Sequence, residues 1–214
     1  MLLPADTQLV GLDVCADYQA WHKGRRRYIV WYIEIDDEAV SQCCQEYQRL
    51  FDDILTPGYH RQWHITLFVN GFLVDEPYYD DDCTASQIDA QIQAVQALNL
   101  SPFGLTLDRI DGFLNSLFIA IHPNDTLLKI RQALSAIKPE IAPSDYHPHI
   151  TLGFYRSSFS SGDVLPLLTP LQIPDIDFRV KTLTVGYYDP NQLQGQLTAL
   201  YHISLSPTLE NDSC

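Results

Sequence analysis

A chain of 214 residues that is 46% hydrophobic and 19% charged carries enough apolar material for one compact core, which excludes a disordered polymer. Its 27 acidic against 13 basic residues leave a formal charge of -14, which repels a long polyanion and favours a small substrate without excluding a short RNA end. No segment reaches the uninterrupted apolar length of a membrane span, and the stretch from Met1 to Asp17 lacks the basic flank and apolar run of a leader, so no membrane association is expected.

Residues 28–35 (YIVWYIEI) are aromatic and β-branched over a strand's length, and Asp36 and Asp37 supply a helix N-terminus directly after them. Val40, Cys43, Cys44, Tyr47, Leu50, Phe51 and Ile54 recur at three- and four-residue spacing, predicting an amphipathic helix that Pro57-Gly58 ends. His64 to Val69 (HITLFV) reads as a strand, with Asn70-Gly71 as a turn and the acidic run through Asp75, Glu76 and residues 80–82 as an exposed loop. Ile88, Ile92, Val95 and Leu98 mark a second helix; Phe103, Leu105 and Leu107 alternate as a strand, and Leu117 to Ile121 makes its partner. Asn124 or Asp125 can cap a third helix carrying Leu127, Ile130, Leu134 and Ile137 on one face, stopped by Pro139 and Pro143. His149 to Tyr155 (HITLGFY) is a second histidine-bearing strand, followed by a loop containing Pro166, Pro170 and Pro174. A last pair of strands lies near residues 178–187 and 197–205, where Leu197, Ala199, Tyr201, Ile203 and Leu205 alternate and His202 falls on the opposite face with Ser204. The two halves share an order of strand, helix, histidine strand with no linker-like break, so one domain over residues 1–214 with two pseudo-repeated lobes is expected, α+β in class and largely antiparallel. Cys15, Cys43, Cys44, Cys83 and Cys214 show no C-x-x-C spacing and fit a reducing, cytoplasmic setting.

The string HITL occurs twice, at His64 to Leu67 and at His149 to Leu152. Residues two apart on a strand share a face, so each copy presents an imidazole and a hydroxyl together: His64 with Thr66, His149 with Thr151. Such a face can bind a phosphate oxygen through the hydroxyl while the ring moves a proton, because imidazole titrates near neutrality. Two faces across a cleft divide the work, one neutral ring taking a proton from the attacking group and one protonated ring giving one to the leaving oxygen. By the same counting Phe68 and Asn70 share the face of His64, and Tyr155 that of His149, which makes Phe68 and Tyr155 candidate stacking partners for a base.

Paired H-x-T-hydrophobic strands in two halves of such a chain resemble the 2H phosphoesterase superfamily, which includes the bacterial 2′-5′ RNA ligase-like proteins. The resemblance spans about residues 28 to 205 and includes HITLFVNGF, SPFGLTLDRIDGF and HPHITLGFY. It implies a bilobal fold with the two motifs facing across a cleft, activity on 2′,3′-cyclic phosphates or RNA ends, catalytic roles for His64 and His149, phosphate-holding roles for Thr66 and Thr151, and no cofactor. The sequence departs from that family where Phe154 follows Gly153 in place of a frequent basic residue; the nearest cation is Arg156. A monomer is the expected state. A His-ligated metal hydrolase is the sharper rival, since His147 with His149 and His60 with His64 have ligand-like spacing, but no carboxylate or cysteine lies beside either pair at ligand spacing. A binding module with little turnover is the other alternative. His22, His122 and His202 read as structural, and Lys23 with the arginines at 25–27 as a solvated edge.

Overall fold

In the first strand, β1 (Tyr28–Glu34), both faces are apolar, and the reason is visible in the computed structural model. Ile29, Trp31 and Ile33 enter the main core, whereas Tyr28, Val30 and Tyr32 form a second cluster with Phe72 and Leu197 on the opposite face. Residues 2–11, 21–141, 145–192 and 194–206 are described; Cys15, Cys214 and Pro143 lie outside them. Asp37 caps α1 (Glu38–Leu50) by accepting from the Val40 amide at 3.1 Å, and β2 (His64–Leu73), β3 (Asp82–Cys83) and α2 (Ala85–Ala97) follow. Next come β4 (Phe103–Gly112), β5 (Ser116–Ile121), α3 (Asp125–Ile137), capped by Asn124, and β6 (His149–Phe154). The chain ends with α4 (Ser161–Leu168), β7 (Asp177–Val180), β8 (Thr182–Tyr188) and β9 (Thr198–Ser204).

The strands lie in the order β7-β4-β5-β6-β2-β1-β8-β9, antiparallel at every step, with β3 added parallel to the end of β2. The sheet is curled into a half-barrel, and the α+β class stands. Its centre is its weakest seam: β2 and β6 share one register pair, Ile65 with Ile150, where neighbouring pairs of strands share four or more. That seam divides the sheet into two lobes, β7-β4-β5-β6 and β2-β1-β8-β9.

The lobes repeat the order strand, helix, histidine strand as β1-α1-β2 and β5-α3-β6. Each helix packs across the seam: α1 on β6, and α3 on β2. Hydrophobic burial therefore ties the lobes together where strand pairing is thin.

Four elements differ from the sequence reading. Asn70-Gly71 is not a turn but lies within β2, where the register against β1 skips at Asn70. Gly71 has φ 97°, and a Cβ there would sit 2.1 Å from the Asp81 carbonyl oxygen, so the bulge demands glycine. The proline-rich stretch contains α4, whose Val164 and Leu168 are buried while Pro166 is exposed; the bond that proline forfeits faces water. Residues 178–187 are two strands, β7 on β4 and β8 on β1, separated by Lys181. In β9 the alternation breaks at Leu200, which leaves Ile203 in the main core but Leu197 in the second cluster.

The acidic loop is partly structural. Asp82 is buried and accepts from the Tyr78 and Tyr79 amides and from Arg25, which also pairs with Asp81 and lies 3.8 Å over the Phe72 ring. Arg25 is thus a packed ion-pair residue and not part of a solvated edge. His22 is buried with its Nδ1 accepting from the Gly24 amide, in keeping with a structural role.

Candidate active site

The two HITL segments meet at the seam. With Ile65 opposite Ile150 in an antiparallel pair, continuing the register by one residue puts His64 across from Thr151 and Thr66 across from His149, all four on the face away from the main core. Each hydroxyl therefore neighbours the other motif's imidazole. A cavity of about 230 Å³ takes Thr66 from one motif and His149 from the other, with Val69, Phe113, Arg131 and Tyr146 around them; His64 and Thr151 lie outside its lining.

Both rings are oriented alike. His64 Nδ1 lies 2.7 Å from the Gln62 carbonyl oxygen and His149 Nδ1 lies 2.7 Å from that of His147. A carbonyl can only accept, so each Nδ1 carries a proton and each neutral ring keeps its lone pair on Nε2. Tyr32 stands edge-on to His64 at 5.9 Å, and Phe118 lies 4.9 Å from His149. The two are counterparts, since Tyr32 pairs with Thr66 as Phe118 pairs with Thr151.

Burial lowers the pKa of both imidazoles. His64 is brought from 6.5 to about 4, chiefly by desolvation, with Arg61 and His149 adding electrostatic pressure against the bond from Gln62. His149 is lowered by desolvation first, with His147 adding to it. At neutral pH both rings are therefore neutral in the free protein.

The same irregularity follows the threonine in both copies. Against β1 the register of β2 skips at Leu67, and against β5 that of β6 skips at Leu152. A bulge inverts the facing of everything beyond it. Phe68, 1% exposed, therefore turns into the core beside Trp31, and Tyr155, 0% exposed, does so on the other lobe. Neither forms the stacking surface that same-face counting predicts, and Asn70 is likewise drawn inward to a pair of amide bonds with Gln91. Val69 comes onto the site face instead and lines the cavity with Thr66, and strand alternation beyond Leu152 turns the half-buried Phe154 to the corresponding face of β6.

Each bulge frees a leucine carbonyl, and a helix from the other lobe satisfies it. Gln48 of α1 donates to Leu152 O at 2.7 Å, and Arg131 of α3 donates to Leu67 O at 2.5 Å. Arg131 also pairs with Glu140, which accepts the Val69 amide, and stacks 3.9 Å over Tyr146, whose hydroxyl donates to Thr66 O. Sequence reasoning missed Arg131, Glu140, Tyr146 and Phe113, since only the fold brings them to the motifs, and it passed over Arg61, which lies three residues before His64 in the chain. Among the described residues, no three His, Cys, Asp or Glu side chains converge as a metal site, and no helix is long and apolar enough to cross a membrane.

Fold and site together define a two-lobed α+β protein with an H-x-T pair meeting at the seam between its lobes. The model of the 2′-5′ RNA ligase superfamily matches residues 35–192, and the chain belongs to that superfamily, within the 2H phosphoesterases. Solved structures are similar in fold at low identity. E. coli LigT in apo form is 16% identical with a TM-score of 0.57, covering 86% of this chain and 100% of its own. LigT complexed with 3′-AMP is 17% identical with a TM-score of 0.57, over the same shares. The Thermus thermophilus protein TT0787 is 14% identical with a TM-score of 0.57, covering 85% of this chain and 99% of its own. Among curated proteins, none matches significantly.

Proposed function

We propose that this protein is a metal-independent phosphodiesterase that opens 2′,3′-cyclic nucleotide phosphates or cleaves related RNA-end phosphodiesters, with His64 and His149 as acid and base and Thr66 and Thr151 as phosphate ligands. The observation that carries the reading is the antiparallel register at Ile65 and Ile150, which sets each imidazole across from the other motif's hydroxyl. Membership of the superfamily supports phosphoester chemistry in general.

In this mechanism the threonine hydroxyls donate to the non-bridging phosphate oxygens. The neutral Nε2 of one ring takes a proton from water as the water oxygen bonds to phosphorus. The P–O bond to a ribose oxygen breaks, and that oxygen takes a proton from the other ring, which enters the step as an imidazolium and leaves it neutral. Both rings are neutral in the free protein, so the substrate's own negative charge must raise one of them into the protonated form. Phe154 on the site face, where related chains often carry a cation, favours a small substrate with few charges. Arg61, close enough for its charge to act on His64, supplies local positive potential.

The test is turnover of a panel of 2′,3′-cyclic nucleotides. Activity persists in excess chelator, and His64→Ala and His149→Ala each lose about 10²- to 10⁴-fold. Full activity in both variants, or loss in chelator with restoration by a divalent ion, would overturn the assignment. The binding-module reading predicts instead that 2′- or 3′-phosphorylated nucleotides bind and none of the panel turns over.

A further inference from the structure

The carbonyl that orients each ring belongs to the residue two before it, just outside the strand ladder. Trp63 and Pro148, between carbonyl and histidine, still pair with the neighbouring strands: Ile35 N donates to Trp63 O and Ile121 N to Pro148 O, both at 2.9 Å. Gln62 and His147 need another restraint. In the second motif Pro148 provides it, because proline confines the preceding residue to extended backbone. Trp63 has no such effect in the first.

Gln62 is held by its side chain. Its Nε2 donates to Leu197 O at 3.0 Å and its Oε1 accepts from Leu197 N at 2.8 Å, the two-bond pattern by which one strand residue pairs with another. Leu197 is itself buried against Tyr28, Val30, Tyr32 and Phe72. Around this fork His60 N donates to Gln194 O, Arg61 Nε to Gly195 O, and Gln194 Nε2 to Pro57 O, each at 3.0 Å. The segment before β2 is thereby stitched to the one before β9.

We propose that Gln62 is the positioning residue of the first histidine: its amide, locked on the Leu197 backbone, holds the carbonyl that fixes the His64 ring and tautomer. The role of His64 in turnover rests on the function proposed above, but the orientation of the ring does not, so the two can fail separately. Gln62→Ala removes both bonds to Leu197. Gln62→Met is close in size and removes both bonds without adding a charge beside His64, which keeps the question answerable if the alanine variant does not fold.

The primary measurement is ¹⁵N NMR of the histidine side chains at neutral pH. In the unaltered protein both rings are Nδ1–H tautomers. In either variant His64 becomes a mixture while His149 is unchanged, and kcat on a cyclic nucleotide falls about tenfold with KM within a factor of two. Retention of the His64 Nδ1–H tautomer in a folded variant overturns the proposal, whatever the activity. A shifted tautomer in the variants, together with an unaltered protein that turns over no cyclic phosphate, upholds Gln62 as the restraint and overturns the enzymatic reading instead.

Discussion

At the scale of single residues, the decisive quantity is the charge on two imidazoles, one buried and one half-buried. The folded pKa of His64, about 4, lies below its unfolded value of 6.5. As pH falls the unfolded chain binds the proton first, so stability that is complete above 6.5 drains away between 6.5 and 4. The loss from this ring alone amounts to at most about 3 kcal/mol. Thermal denaturation followed across that window should show a smaller decline in His64→Gln than in the unaltered protein; parallel declines would mean that the ring ionises freely in the fold. Catalysis inherits the same sign. Under the proposed mechanism, the lowering of both imidazoles in the free protein should centre the bell in kcat/KM below pH 6.5, and a bound phosphate should raise them and move the bell in kcat upward. Superimposable profiles would show that substrate charge does not tune the pair.

At the scale of elements, the bulge after each threonine decides what the site contains. The repeat of HITL made both strands, the two histidines and their hydroxyl partners legible from local spacing alone. Counting on by twos then placed Phe68 and Tyr155 beside them, and this failed because Leu67 and Leu152 each drop out of the ladder. The donors that satisfy the freed carbonyls, Arg131 and Gln48, lie on helices from the opposite lobe, 64 and 104 residues away in sequence. Arg131→Leu leaves Leu67 O and Glu140 without their partner in a half-buried setting and should cost about 2 to 3 kcal/mol in denaturant titration. Gln48→Ala loses a neutral donor and should cost about 1 kcal/mol. Equal costs would show that the ion pair with Glu140 adds nothing.

For the whole molecule, the question is whether two lobes joined by one strand pair behave as one body. Because α1 packs on β6 and α3 on β2, neither lobe can open without exposing the apolar face of a helix that belongs to the other. Unfolding should therefore be a single transition, with tryptophan fluorescence and far-ultraviolet circular dichroism giving the same midpoint in urea. Two separated midpoints would show that the crossed helices do not couple the lobes. The net charge of -14 acts at this scale too, since it penalises long polyanions everywhere except near local cations such as Arg61.

The repeated order of strand, helix and histidine strand, the α+β class and the two imidazole and hydroxyl pairs are written in the sequence. Each rests on spacing within a few residues, and backbone geometry turns such spacing directly into facing. Which residues stand beyond those pairs was settled only by the tertiary structure. A strand's facing survives until a bulge interrupts it, and a bulge is stable only where a distant donor, such as Arg131 or Gln48, waits for the carbonyl it releases. The clamp of Gln62 on Leu197 belongs to the same category, for a side-chain amide can imitate a neighbouring strand only after the fold has brought a bare stretch of backbone within its reach.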